Sequence, residues 1–151
     1  MSSGAPHLFV SLGDIEELVA AFLAGTLPKW RWTHQAHFVV GLWHVRRFDP
    51  DTSLRLLRER IRAFNDAVGT VNSESDGYHE TLTRFYIVMI DAWARAQPTD
   101  PPPWELGLYH RLLESRLVDK DFPLSFYSRE RLFSVEARRN WLDPDLIALG
   151  P

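Results

Sequence analysis

The sequence predicts an all-α fold, a single helical bundle of about five main helices closed by a C-terminal wrap of short helical pieces. Three observations carry that expectation. Apolar residues recur at 3.6-residue spacing in successive stretches, capping and stop residues bracket those stretches, and no stretch alternates with the period of two that marks a strand. The 151 residues fit one domain, large enough to bury a core without metal or disulfide staples. No repeat or low-complexity segment interrupts it.

Residues 1–10 read as a loose lead-in. Ser11 or Gly13 starts the first helix, with Asp14, Glu16 and Glu17 in its first turns, where the helix dipole favours acids. Ile15, Leu18, Val19, Phe22 and Leu23 form its apolar stripe, and Gly25 is its stop. The linker 26–32 is short and aromatic, so it should pack. A second helix is expected over 33–47 with Thr33 as cap. Asp49-Pro50-Asp51 then breaks the chain and starts a third, with Leu54, Leu57, Ile61, Phe64 and Val68 inward and Arg55, Arg58, Glu59, Arg60 and Arg62 outward. Gly69 ends it, and residues 70–77 are polar turn formers. A fourth helix, 78–97, is apolar nearly all round and should be central. Pro98 and the run Pro101-Pro102-Pro103 end it. A fifth covers 104–117, and the tail holds short helices near 129–133 and 135–141, capped by Ser128 and Ser134.

Composition excludes several classes. With no cysteine, thiol nucleophiles, disulfides and zinc–thiolate sites are ruled out. A net charge of −3, with arginines interleaved among acids, points to neither nucleic acid nor an anionic membrane. No apolar run approaches membrane-spanning length and the amino terminus lacks a signal-peptide pattern, so a cytoplasmic location is expected. The P-loop, dinucleotide and nucleophile-elbow motifs are all missing. Six tryptophans and nine phenylalanines fit an aromatic-lined pocket.

Two polar clusters open otherwise apolar helices. The first is Trp32-Thr33-His34-Gln35-Ala36-His37-Phe38. At about 100° per residue, His34, His37 and His44 share one stripe beside the bare position Gly41. An i, i+3 histidine pair can chelate one ion, and the positive end of the helix dipole favours a neutral imidazole. The second cluster is Tyr78-His79-Glu80-Thr81-Leu82-Thr83-Arg84. There Glu80 and Arg84 have i, i+4 ion-pair spacing, and Gly77-x-x-Glu80 resembles a capping box.

If the helix starts face each other, His34, His79, Glu80 and Arg84 form a catalytic set. In it a histidine acts as base, Glu80 orients it, and Arg84 clamps a substrate carboxylate. Trp32, Tyr78, Thr83 and Arg138 are the expected substrate-binding residues, and Trp30, Phe38 and Phe85 further pocket walls. His34, His37, His79 and Glu80 are the candidate ligands for zinc, iron, nickel or manganese. Each residue also has a structural reading, as a cap, a salt bridge or a buried network. The polar tail residues of 127–139 read more readily as pins that fasten the C-terminal segment than as an anion site.

Taken together, Trp32-Thr33-His34-x-x-His37, Gly77-Tyr78-His79-Glu80-Thr81-x-Thr83-Arg84 and Tyr127-Ser128-Arg129-Glu130 with the later Ser134-x-x-Ala137-Arg138 and Pro144-Asp145-Leu146 carry a resemblance. They resemble an uncharacterised group of small all-helical bacterial proteins over roughly residues 15–150. The resemblance implies a shared architecture and no particular activity. The function expected from the residues is an enzyme acting by acid–base or metal-assisted chemistry on a small molecule, with a non-catalytic ligand-binding module or a structural protein as the other readings. A di-iron carboxylate bundle fits poorly, because Glu80 is followed by Thr83 where a histidine is needed.

Overall fold

Local capping chemistry fixes where each helix begins in the computed structural model, which describes residues 9–98 and 104–149. Ser11 and Asp14 close a full capping box on α1 (Leu12–Ala24), and Gly25 ends it at φ 72°. The Thr33 hydroxyl accepts from the Ala36 amide and starts α2 (His34–Arg47). Asp49 does the same for α3 (Pro50–Val68), which Gly69 ends at φ 81°. Only glycine adopts such a left-handed backbone without strain.

The central helix α4 (Glu80–Arg95) starts two residues later than the apolar pattern predicts, because the imidazole of His79 is itself the cap. Its Nδ1 accepts from the Leu82 amide at 3.1 Å. Glu80 is therefore the first residue of the helix, and the expected Gly77-x-x-Glu80 capping box does not form. Gly77 has a different task. It turns the chain at φ 80°, where an added Cβ would lie 2.6 Å from the Val71 carbonyl oxygen.

The fifth helix, α5 (Trp104–Leu113), is shorter than expected, and 3-10 turns at Arg116–Val118 and Phe122–Ser125 follow it. Ser128 and Ser134 cap α6 (Arg129–Leu132) and α7 (Val135–Arg139) as predicted. The expected lead-in and the Pro101-Pro102-Pro103 run fall mainly or wholly outside the described residues. Helices account for all the regular structure among the described residues, so the protein is all-α. No described helix is long and apolar enough to cross a membrane.

α4 packs against α2, α3 and α7, so its apolar circumference is used on nearly every side. The main core joins α1, α2, α3, α4 and α5 around Phe22, Phe64, Leu42, Ile87 and Leu112. Each such side chain contributes roughly 1.5–3 kcal/mol by leaving water. A second cluster under the tail is built on Phe85, Tyr127 and Leu132.

The tail is fastened by specific bonds. Thr81 Oγ1 donates to the Asn140 carbonyl at 2.7 Å and accepts from the Leu142 amide. Tyr127 donates to the Leu142 carbonyl, and the Asp145 carboxylate accepts from the Ser128 amide. These are the pins that the structural reading of 127–139 expects. Between α2, α4 and this tail a cavity remains.

Candidate functional site

The cavity holds about 590 Å³, within the usual range for a small-molecule site. Its walls are mostly apolar: Phe38, Leu57, Ile61, Ile87 and Ile90 from the bundle, with Leu124, Leu132 and Phe133 from the tail. Gly41 lets α2 approach α4 closely, since a Cβ there would lie 3.1 Å from Ile90 Cδ1. Trp32 forms one end, sandwiched between Phe22 at 4.6 Å and His37 at 3.9 Å. The polar groups in this lining are His34, His37, Tyr78, His79, Thr83, Tyr86 and Lys120.

Both helix starts do reach this one cavity, but the imidazoles there have different freedoms. His79 uses both nitrogens, since Nε2 donates to the Leu132 carbonyl at 2.8 Å while Nδ1 caps α4. Burial holds its pKa below the ordinary value. His79 thus ties α4 to α6. His34 donates from Nε2 to the Val118 carbonyl at 2.7 Å. His44, on the same stripe of α2, is fully buried and also occupied at both ends. Its Nδ1 donates to the Val40 carbonyl, and its Nε2 accepts from Arg60.

His34 and His37 thus each keep one ring nitrogen without a partner among the described residues, and His37 is the more exposed of the two. Its Nδ1–H donates to the Thr33 carbonyl at 2.6 Å, which fixes the tautomer and leaves Nε2 as a free lone pair. The ring keeps accessible surface, yet burial pushes its pKa down to about 4. The residue as a whole is exposed, and it is also one of the groups that line the cavity. His37 is neutral at pH 7, oriented, and open to a ligand. The hydroxyl of Tyr86 also lines the cavity and makes no hydrogen bond among the described residues; burial raises its pKa. Lys120 is the one permanently charged side chain in the lining, and it pairs with no carboxylate among the described residues.

Several expected partners lie elsewhere. Glu80 pairs with Arg58 of α3, not with Arg84. Arg58 donates from Nε and Nη2 to the two carboxylate oxygens at 2.9 and 2.6 Å, and the Tyr78 hydroxyl donates to Oε1 at 2.8 Å. Burial alone would raise the Glu80 pKa, but these bonds outweigh it and hold the carboxyl below its ordinary range. Arg84 lies over the Trp141 ring at 4.5 Å. Neither Glu80 nor Arg84 lines the cavity, so the expected four-residue catalytic set is not assembled.

The expected metal set fails for the same reason. No group of three or more histidine, aspartate or glutamate side chains converges among the described residues. His34, His37 and His79 line the cavity, but both nitrogens of His79 are in use and both carboxylate oxygens of Glu80 are bonded to Arg58.

Of the expected substrate-binding residues, Trp32, Tyr78 and Thr83 line the cavity. The Thr83 hydroxyl donates to the His79 carbonyl. Arg138 instead donates to the Gly77 and Tyr78 carbonyls at 3.0 and 3.4 Å. Trp30 is 79% exposed, and Phe85 is sealed in the second core cluster, so neither is a wall. Arg58 and Arg60 also turn inward where an outward face is expected. Lys120 and the free Tyr86 hydroxyl carry no motif that sequence reading could find, since the tail brings the first and burial isolates the second.

The two duties of His79 can be separated. Asparagine is a good cap but too short to reach Leu132, so His79→Asn should cost about 1 kcal/mol and His79→Ala about 2. Urea unfolding measures both. Hydrogen exchange should show residues 129–133 loosened in His79→Asn with the Leu82 amide still protected. Equal costs for the two variants would show that the tie to Leu132 does nothing.

No protein-family model matches this chain, and no curated protein or solved structure shows significant similarity to it.

Proposed function

We propose that this protein binds a small, largely apolar organic molecule in the α2–α4 cavity and that His37 Nε2 accepts a hydrogen bond from its polar group. The observation that carries this reading is the tethered, neutral imidazole whose free lone pair faces a cavity with mostly apolar walls. An oriented acceptor with no protein partner is available to a donor on a ligand that fills the apolar space beside it. Lys120 at the rim suits a ligand that also bears a carboxylate.

A second reading, acid–base catalysis on that molecule, is favoured by the bond from Nδ1–H to Thr33. Such a bond orients the ring and stabilises its protonated form, as a general base requires. In this reading His37 takes the place expected of His34 or His79, and Tyr86 is the nearest counterpart of an acid in the cavity.

The test is calorimetric titration with 2-naphthol and with its methyl ether, which fills the same space but cannot donate. 2-Naphthol should bind more tightly than the ether by about five- to tenfold, the worth of one hydrogen bond. His37→Phe should abolish that preference and leave ether binding close to wild type. If neither compound binds, or if the preference survives in His37→Phe, the reading is overturned.

A further inference from the structure

Beside the apolar cavity, on the far side of Tyr78, lies a second and smaller one of about 280 Å³ with a different character. Three arginines line it: Arg62 from α3, and Arg138 and Arg139 from α7. Glu74 is the only carboxylate in the lining, and it pairs with Arg139. Asp66 and Asp76 are close in sequence but accept from the Asn72 side chain and the Gly77 amide instead. Arg138 therefore has no carboxylate partner in this concave space, and Arg62 feels only the through-space attraction of Glu80, whose oxygens are bonded to Arg58 and Tyr78.

A structural role explains only part of this cluster. Arg138 fastens α7 to the turn at Gly77 through Nη1 alone, which leaves its Nε and Nη2 available. The Arg62 guanidinium lies over the Tyr78 ring at 4.8 Å, and its side chain makes no hydrogen bond among the described residues. Stacking holds that guanidinium in place without using its five donors. Asn72 is no competitor for a ligand, because its oxygen already accepts from Asn65 and from the Tyr78 amide. Like charges gathered this way repel one another, and a doubly charged oxyanion relieves that repulsion while satisfying the planar donor forks.

We infer that this cavity is an oxyanion site that takes the phosphate group of a small phosphate monoester, or free phosphate, between Arg62 and Arg138. It is independent of the His37 cavity and stands whether or not that one binds a ligand. Its volume matches a charged head group rather than a whole drug-sized molecule.

The experiment titrates inorganic phosphate and phenyl phosphate at fixed ionic strength, with chloride as the reference anion, and follows the Arg62 Nε–H resonance by NMR. Arg62→Gln is the variant of choice, because Arg62 supports no backbone group and its loss should leave the fold intact. Saturable binding that shifts the Arg62 signal and weakens about tenfold in Arg62→Gln is expected, with His37→Phe binding like the wild type. Preference for phenyl phosphate over phosphate would assign the site to an ester, and the reverse to the free ion. No saturation beyond the chloride response, or unchanged affinity in Arg62→Gln, would overturn the inference.

Discussion

Replacing Arg58 with methionine should destabilise the protein by about 3 kcal/mol, more than any other single surface-accessible charge. The reason is what the substitution leaves behind. Glu80 is buried, with 8% of its surface exposed, and the bidentate guanidinium is its main partner. Removing one member of a buried pair strands the other, and that typically costs 3–5 kcal/mol. The low end applies because the Arg58 side chain is 36% exposed, and because the Tyr78 hydroxyl and nearby Arg62 still favour the carboxylate. For a chain of this size the midpoint of thermal unfolding should fall by roughly 6–12 °C.

The sign of the pH dependence provides a second check. Glu80 is held below its ordinary value of 4.5, so the pair contributes fully above that pH and loses its contribution on acidification. Arg58→Met should therefore differ most from the wild type above pH 4.5, and the difference should shrink as the pH falls below that value. The double variant Arg58→Met with Glu80→Met should recover most of the loss, because no buried charge remains. Equal and additive losses for the two single changes would show that the ion pair is not the cause.

Arg58 also shows where sequence reading stops. Glu80 and Arg84 stand at ion-pair spacing, and local geometry alone favours them. Two distant residues decide otherwise: Arg58 approaches Glu80 from α3, and Trp141 offers its face to Arg84 from the tail. Nothing in the order of residues announces either meeting. The helix starts at Thr33, Asp49, Ser128 and Ser134 were legible because a cap is a matter of three neighbouring residues. The start of α4 was not, since histidine is not among the residues that usually cap, and His79 does so only with its other nitrogen held by Leu132. The position of the cavity was legible in part. Helical spacing puts His34, His37 and Gly41 on one face, and all three do line it. Which Nε2 atoms stay free does depend on distant partners: the Val118 carbonyl takes that of His34, Arg60 takes that of His44, and none takes that of His37.

That last distinction makes the acid stability of the protein a test of the α2 stripe. His44 has no exposed surface, and burial pushes its pKa down to about 4 from an ordinary 6.5. Its Nε2 accepts from Arg60, so a proton there would break a hydrogen bond and face a cation. The folded protein thus keeps His44 neutral down to about pH 4, whereas the unfolded chain takes up the proton near 6.5. Protonation then favours unfolding, and stability is lost as pH falls through this window. At pH 5 the loss from His44 alone is roughly 2 kcal/mol relative to pH 7.5. His37 and His79 are shifted in the same direction and add to it, His37 by less because its ring is open to the cavity. The depressed carboxylates, Glu80 and Asp49 among them, matter only below about pH 4.5, so the interval from 5 to 6.5 belongs to the histidines. Urea unfolding at pH 7.5, 6 and 5 should show a midpoint that is flat above 7 and then falls steadily. An imidazole titration by NMR should find no transition for His44 above pH 5. A stability that stays level from 7.5 to 5 would mean that His44 can be protonated in place, and that the Arg60 contact gives way at little cost.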